Sequence, residues 1–97
     1  MKVEGKVAVV TGAGQVIGQG IVHCLAERGV DVVVIDINGG NARKFADEVK
    51  GLGRQSLAVE VDLTDNKKVT QVVQDIIDTF GRIDILVNNV DGGMVTI

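Results

Sequence analysis

The sequence predicts an α/β fold: a doubly wound parallel sheet of four strands, most simply in the order 3-2-1-4. Three observations carry that expectation. Short apolar runs of strand length alternate along the chain with segments of helical period. The core formers are Val, Ile, Leu and Ala, since 45% of the 97 residues are hydrophobic but only 2% are aromatic, Phe45 and Phe80. A glycine-rich turn separates the first run from the first helical segment. Valine-rich strands with few aromatics suit a sheet covered by helices on both faces. A βαβαβαβ pattern with right-handed crossovers then gives the strand order.

Each element has its own signal. Lys6–Thr11 and Val30–Asp36 read as the first two strands, and Gln55–Val61, with Leu57, Val59 and Val61 alternating, as the third. Ile83–Val87 reads as the fourth. The first helix carries Ile17, Ile21 and Leu25 four residues apart and stops near Gly29. The second uses Ala42, Phe45, Ala46, Val49 and Leu52 and ends among Gly51 and Gly53. In the third, Val69, Val72, Val73, Ile76, Ile77 and Phe80 follow the i, i+3, i+4, i+7, i+8, i+11 pattern of one helix face. Thr64 or Asp65 can cap its start and Gly81 can end it. Proline is absent, and the sequence shows no repeat or linker.

Composition narrows the function classes. The net charge of −3, with no basic cluster, argues against a nucleic-acid partner. No run approaches the ~18 apolar residues of a membrane span, and no leader pattern opens the chain. A single cysteine, Cys24, cannot form an internal disulfide and fits a reducing, cytoplasmic setting. His23 and Cys24 point to different helix faces, a surface imidazole and a small buried thiol rather than a reactive pair. Asp75 and Asp78 read as solvated charges on the third helix.

The chemistry concentrates where the strand order reverses, at the carboxyl ends of strands 1 and 4. There the segment Val7-Ala-Val-Val-Thr-Gly-Ala-Gly-Gln-Val-Ile-Gly-Gln-Gly20 runs from strand through glycine turn into helix. A helix N-terminus presents unpaired N–H groups and a positive dipole end, which suits a pyrophosphate. Such a turn also serves purely steric ends. Its pairing with Asp36, 18 residues past Gly18 and 24 past Gly12, favours binding. A carboxylate ~20 residues on meets the hydroxyls of an adenosine ribose. Asn88 and Asn89 follow strand 4 into the same crevice.

Thr11-Gly12-Ala-Gly-Gln-Val-Ile-Gly18, Asp36, Asp62-Leu63 and Asn88-Asn89 together resemble the N-terminal part of a short-chain dehydrogenase/reductase, from Gly5 to about Asp91. The resemblance implies a partial Rossmann-like, dinucleotide-binding domain over residues 1–97. It assigns the pyrophosphate to Gly12, Gln15, Ile17 and Gly18, the adenosine ribose to Asp36, the adenine to Asp62 and Leu63, and the cofactor cleft to Asn88. For Asp62 a carboxylate at the start of the third helix is an equally good reading.

Two positions depart from the family pattern. Val16 stands where the family has the middle glycine of Thr-Gly-x-x-x-Gly-x-Gly, and Val90-Asp91 replaces Ala-Gly. Both changes predict weaker cofactor binding, through crowding, or through strain if Val16 must take a positive φ. The family's catalytic Ser and Tyr-x-x-x-Lys have no counterpart here: tyrosine is absent, and the only serine, Ser56, starts strand 3. No metal-ligand cluster is present.

The expectation is the NAD-binding portion of an oxidoreductase acting on an alcohol/carbonyl pair, inactive by itself. The alternatives are a non-catalytic dinucleotide or adenosine module, or an interaction fragment pairing with a full-length relative. NAD is expected over NADP, because Asp36 repels a 2′-phosphate and neither Gln15 nor Ile37 is basic. With no fifth strand beside it, the apolar edge of strand 4 (Ile83, Ile85, Leu86, Val87) is expected to drive self-association or pairing with another chain.

Overall fold

The computed structural model describes residues 2–12, 16–88 and 94–96. The elements are β1 (Val7–Thr11), α1 (Val16–Glu27), β2 (Asp31–Asp36), α2 (Gly39–Gly51), β3 (Ser56–Glu60), α3 (Asn66–Phe80), β4 (Ile85–Asn88) and β5 (Met94–Thr96). Among the described residues the sheet runs β3-β2-β1-β4-β5. Its first four strands are parallel, in the expected 3-2-1-4 order.

β5 is a correction. It pairs antiparallel with β4, Leu86 opposite Thr96 and Asn88 opposite Met94, so the edge of β4 expected to be open is occupied there. A three-residue strand carries no periodicity of its own, and only its long-range pairing defines it.

Side chains alternate across the strands and build two cores. On one face Ala8, Val10, Val32, Val34, Ile85 and Val87 meet Val22 and Ala26 of α1 and Ala42, Phe45, Ala46 and Val49 of α2. On the other, Val7, Val9, Val33 and Ile35 meet Ile76 of α3. Each fully buried Val or Ile contributes roughly 1.5–3 kcal/mol of transfer free energy.

The helices start and stop on local hydrogen bonds. The Asn38 side chain caps α2 by accepting from the Asn41 N–H at 3.0 Å. Asp65, not Thr64, caps α3, accepting from Lys68 N–H at 3.2 Å. Gly81 ends α3 in the left-handed region at φ 81°, which glycine adopts without a Cβ clash.

Three helix-face expectations shift. On α1 the buried line is Val22 and Ala26, with Ile21 and Leu25 half-buried beside it. Cys24 lies two residues from Val22, about 200° around the helix, and is therefore exposed rather than buried. Leu52 is the C-cap of α2 and lies off its apolar stripe, 44% exposed. His23 is half-exposed, and its Nε2 lies 2.8 Å from Glu48 Oε2, tying α1 to α2. That hydrogen bond holds the Glu48 carboxyl below its usual value. Ser56 is the strand-start residue expected, its hydroxyl donating to Val32 O at 2.6 Å. Asp75 and Asp78 are exposed and accept from Gln71 and Gln74 one turn back.

Candidate cofactor-binding site

Parallel register brings the ends of β1, β2 and β4 together. Thr11 lies opposite Asn88 on one side and Ile35 on the other, so Asp36 stands one residue beyond Thr11 at the same edge. The Thr11 hydroxyl donates toward Asn88 Oδ1 at 3.1 Å, with Val87 O at 3.4 Å. This contact fixes the Asn88 side chain at the top of β4.

Gly12 follows β1 at φ 64°, a left-handed turn that an L side chain would strain. α1 then begins at Val16, and Gly18 is buried in its first turns. The N-terminus of α1 therefore opens at the carboxyl edge, with its positive dipole end toward any anion held there. Gln15 lies outside the described residues, as does the side chain of Ile17. Val16 is helical, so the positive φ considered for it does not occur and strain is not a source of weaker binding. The side chain of Val16, on which the crowding expectation rests, lies outside the described residues. Val90 and Asp91 lie outside the described residues.

Asp36 is half-buried at the end of β2, where its Oδ1 accepts from the Asn38 N–H at 2.8 Å. Ile37 beside it is 69% exposed. Asp62 and Leu63 follow β3 on the same edge. Asp62 Oδ1 accepts both the Thr64 N–H at 2.9 Å and the Thr64 hydroxyl at 2.7 Å. These two bonds hold its carboxyl below the usual value. Asp62 thus shapes the loop ahead of α3, while Asp65 serves as the cap. Leu63 is partly exposed and lines an apolar groove of about 280 Å³ between α3 and the sheet, together with Val9, Val61, Val73 and Leu86.

The structure therefore gathers Gly12, Gly18, Asp36 and Asn88 around one edge, with Asp62 and Leu63 beside them. Two neighbours escaped the sequence reading, Thr11 as the partner of Asn88 and Glu60 as the register partner of Asp36. Strand parity was the available signal for Glu60, which falls on the same sheet face as Asp36. Among the described residues no group of three His, Cys, Asp or Glu could hold a metal ion. No helix among them is long and apolar enough to cross a membrane.

A doubly wound sheet with a glycine turn and a carboxylate at its switch point defines a dinucleotide-binding class of α/β protein. The family model for short chain dehydrogenase matches residues 6–96, and the chain belongs to that family. It is 40% identical over 93 residues to 7alpha-hydroxysteroid dehydrogenase of Escherichia coli (strain K12), covering 96% of this chain and 36% of that relative. Among solved structures, NAD+-bound xylitol dehydrogenase superposes with a TM-score of 0.84 at 34% identity, covering 89% of this chain and 33% of the other. Carveol dehydrogenase from Mycobacterium avium in complex with NAD gives 0.84 at 32% identity, covering 91% and 36%. The chain spans about a third of the length of these relatives.

Proposed function

We propose that this chain is the NAD(H)-binding portion of an oxidoreductase acting on an alcohol/carbonyl pair. The observation that carries the reading is the convergence of Gly12, Asp36 and Asn88 on the edge where the strand order reverses. Solved relatives with NAD bound support it. The residues present fit the group: a left-handed glycine and a helix start for the pyrophosphate, and a carboxylate for the ribose hydroxyls.

Bound there, the nicotinamide would supply the hydride carrier. The chain's own residues would bind and orient it. The turn from Gly12 through Gln15 and Ile17 to Gly18 would hold the pyrophosphate. Asp36 would accept from the ribose hydroxyls and disfavour a 2′-phosphate, which makes NAD the preferred cofactor. Asp62 and Leu63 would flank the adenine, and Asn88, fixed by Thr11, would line the cleft.

Composition favours a second reading, a dinucleotide module without chemistry of its own. The chain has no tyrosine, and Ser56 lies at the opposite edge, hydrogen-bonded to Val32 O.

Calorimetric titration with NAD tests the site. Hydrogen bonds to a charged acceptor contribute about 1.5–3 kcal/mol, so Asp36→Ala should weaken NAD by roughly ten- to a hundredfold. An unchanged affinity would remove Asp36 from the site.

A further inference from the structure

Besides Asp36 and Asp62, the carboxyl edge carries a third acid that the reading above does not use. Asp36 and Glu60 are register partners on β2 and β3. Val32 and Val34 precede Asp36 by four and two residues, Ala58 precedes Glu60 by two, and all three pack into the core under α1 and α2. Alternation therefore puts both carboxylate-bearing side chains on that same face.

Glu60 is exposed to solvent, yet its place is defined. It lies across the first residue of α2, where a Cβ on Gly39 would stand 2.7 Å from Glu60 Oε2 and 3.1 Å from its Cβ. Gly39 is buried beneath it. The positive end of the α2 dipole favours a carboxylate at that position. The fold thus holds a further negative charge one strand out from Asp36.

We propose that Glu60 is a specificity-determining residue that acts with Asp36 to reject dinucleotides bearing a 2′-phosphate. The proposal rests on the cofactor reading above and extends it. A 2′-phosphate brings nearly two negative charges to the end of β2. Asp36 is placed to act by contact with the ribose hydroxyls. Glu60, on the neighbouring strand about 4.8 Å away, acts through space, an effect that salt screens. The two acids therefore have separable signatures: losing Asp36 costs NAD, whereas losing the Glu60 charge leaves NAD alone and improves NADP.

The test is calorimetric titration of wild type, Glu60→Gln and Gly39→Ala with NAD and with NADP, at low and high salt. Glu60→Gln keeps the shape and removes the charge. It should tighten NADP roughly three- to tenfold at low salt, change NAD by less than about twofold, and lose most of that gain at high salt. Gly39→Ala crowds Glu60 along its length, from Oε2 to Cβ, so in wild type it moves the charge and should alter NADP affinity, while in Glu60→Gln, with no charge to move, it should add little. NADP binding that is unchanged or undetectable in both wild type and Glu60→Gln at low salt, or an equal change in both dinucleotides, overturns the role of Glu60. Wild-type protein that binds neither dinucleotide overturns the cofactor reading itself.

Discussion

At the amino edge of the sheet, Asp31 and Asp84 are each closed by an arginine. Arg54 Nη2 lies 2.9 Å from Asp31 Oδ1, and Arg82 Nη2 lies 2.6 Å from Asp84 Oδ1. Both acids also accept backbone N–H groups, from Gln55 at 3.0 Å and Val7 at 2.9 Å, stitching strand starts together. At the carboxyl edge, Asp36 and Asp62 turn onto their own loops, accepting from Asn38 and Thr64. Same residue type, same sheet, different use: at the amino edge the carboxylates join one strand start to another, while at the carboxyl edge they shape the rims of a crevice. A parallel sheet makes this division natural, because every strand of β1 to β4 enters its following loop at the same edge.

The largest effect expected from this contrast concerns chemistry. The carboxyl edge is proposed to hold a dinucleotide, whereas the chain has no tyrosine to pass a proton, and Ser56 starts its strand at the other edge. Positioned acid/base groups contribute about 10²–10⁴-fold to rate. The purified 97-residue chain should show no alcohol or carbonyl turnover above background with either nicotinamide cofactor, measured by absorbance of the reduced cofactor. Robust hydride transfer would overturn that division of labour.

A second expected effect follows from the two faces rather than the two edges. Among the described residues, two helices bury the Val32 and Val34 side of the sheet, whereas α3 alone covers the other. Val73, Ile77 and Leu86 remain 44%, 38% and 41% exposed there. Self-association is thus proposed through this face and not through the edge of β4, which β5 occupies. Contiguous apolar surface of this kind promotes association. Light scattering at tens of micromolar should show a mass above the monomer, and Val73→Lys with Leu86→Lys should shift it toward monomer. A monodisperse wild-type monomer would count against it.

Much of this was legible in the sequence because it is local. The period of α3, the cap at Asp65, the stop at Gly81 and the placing of Asp36 all follow from residues near one another in the chain. What was not legible depends on partners far away. β5 exists through its pairing with β4, and Glu60 gains its meaning from Asp36 across the strands. Cys24 is exposed because packing selects the Val22–Ala26 line, one residue on from Ile21 and Leu25, which no local signal distinguishes.

A smaller effect tests the amino edge by pH. Arg82 first, and the Val7 N–H second, hold the Asp84 carboxyl below its usual value. The folded state therefore binds that proton less readily than the unfolded chain. The stabilisation is complete above the ordinary carboxylate range and is lost as pH falls through the lowered value. Asp84→Ala should lower Tm at neutral pH, flatten the loss of stability below about pH 4, and leave NAD affinity unchanged. A parallel loss of NAD affinity would show that the two edges are not independent.

The most direct test of the central claim is an amide NMR titration of the isotope-labelled chain with NAD, read at both edges at once. The account predicts saturable shifts at Gly12, Gly18, Asp36, Ile37, Leu63 and Asn88, with Asp31, Arg54, Arg82 and Asp84 unmoved. Shifts confined to the amino edge, or none at either edge, would contradict it.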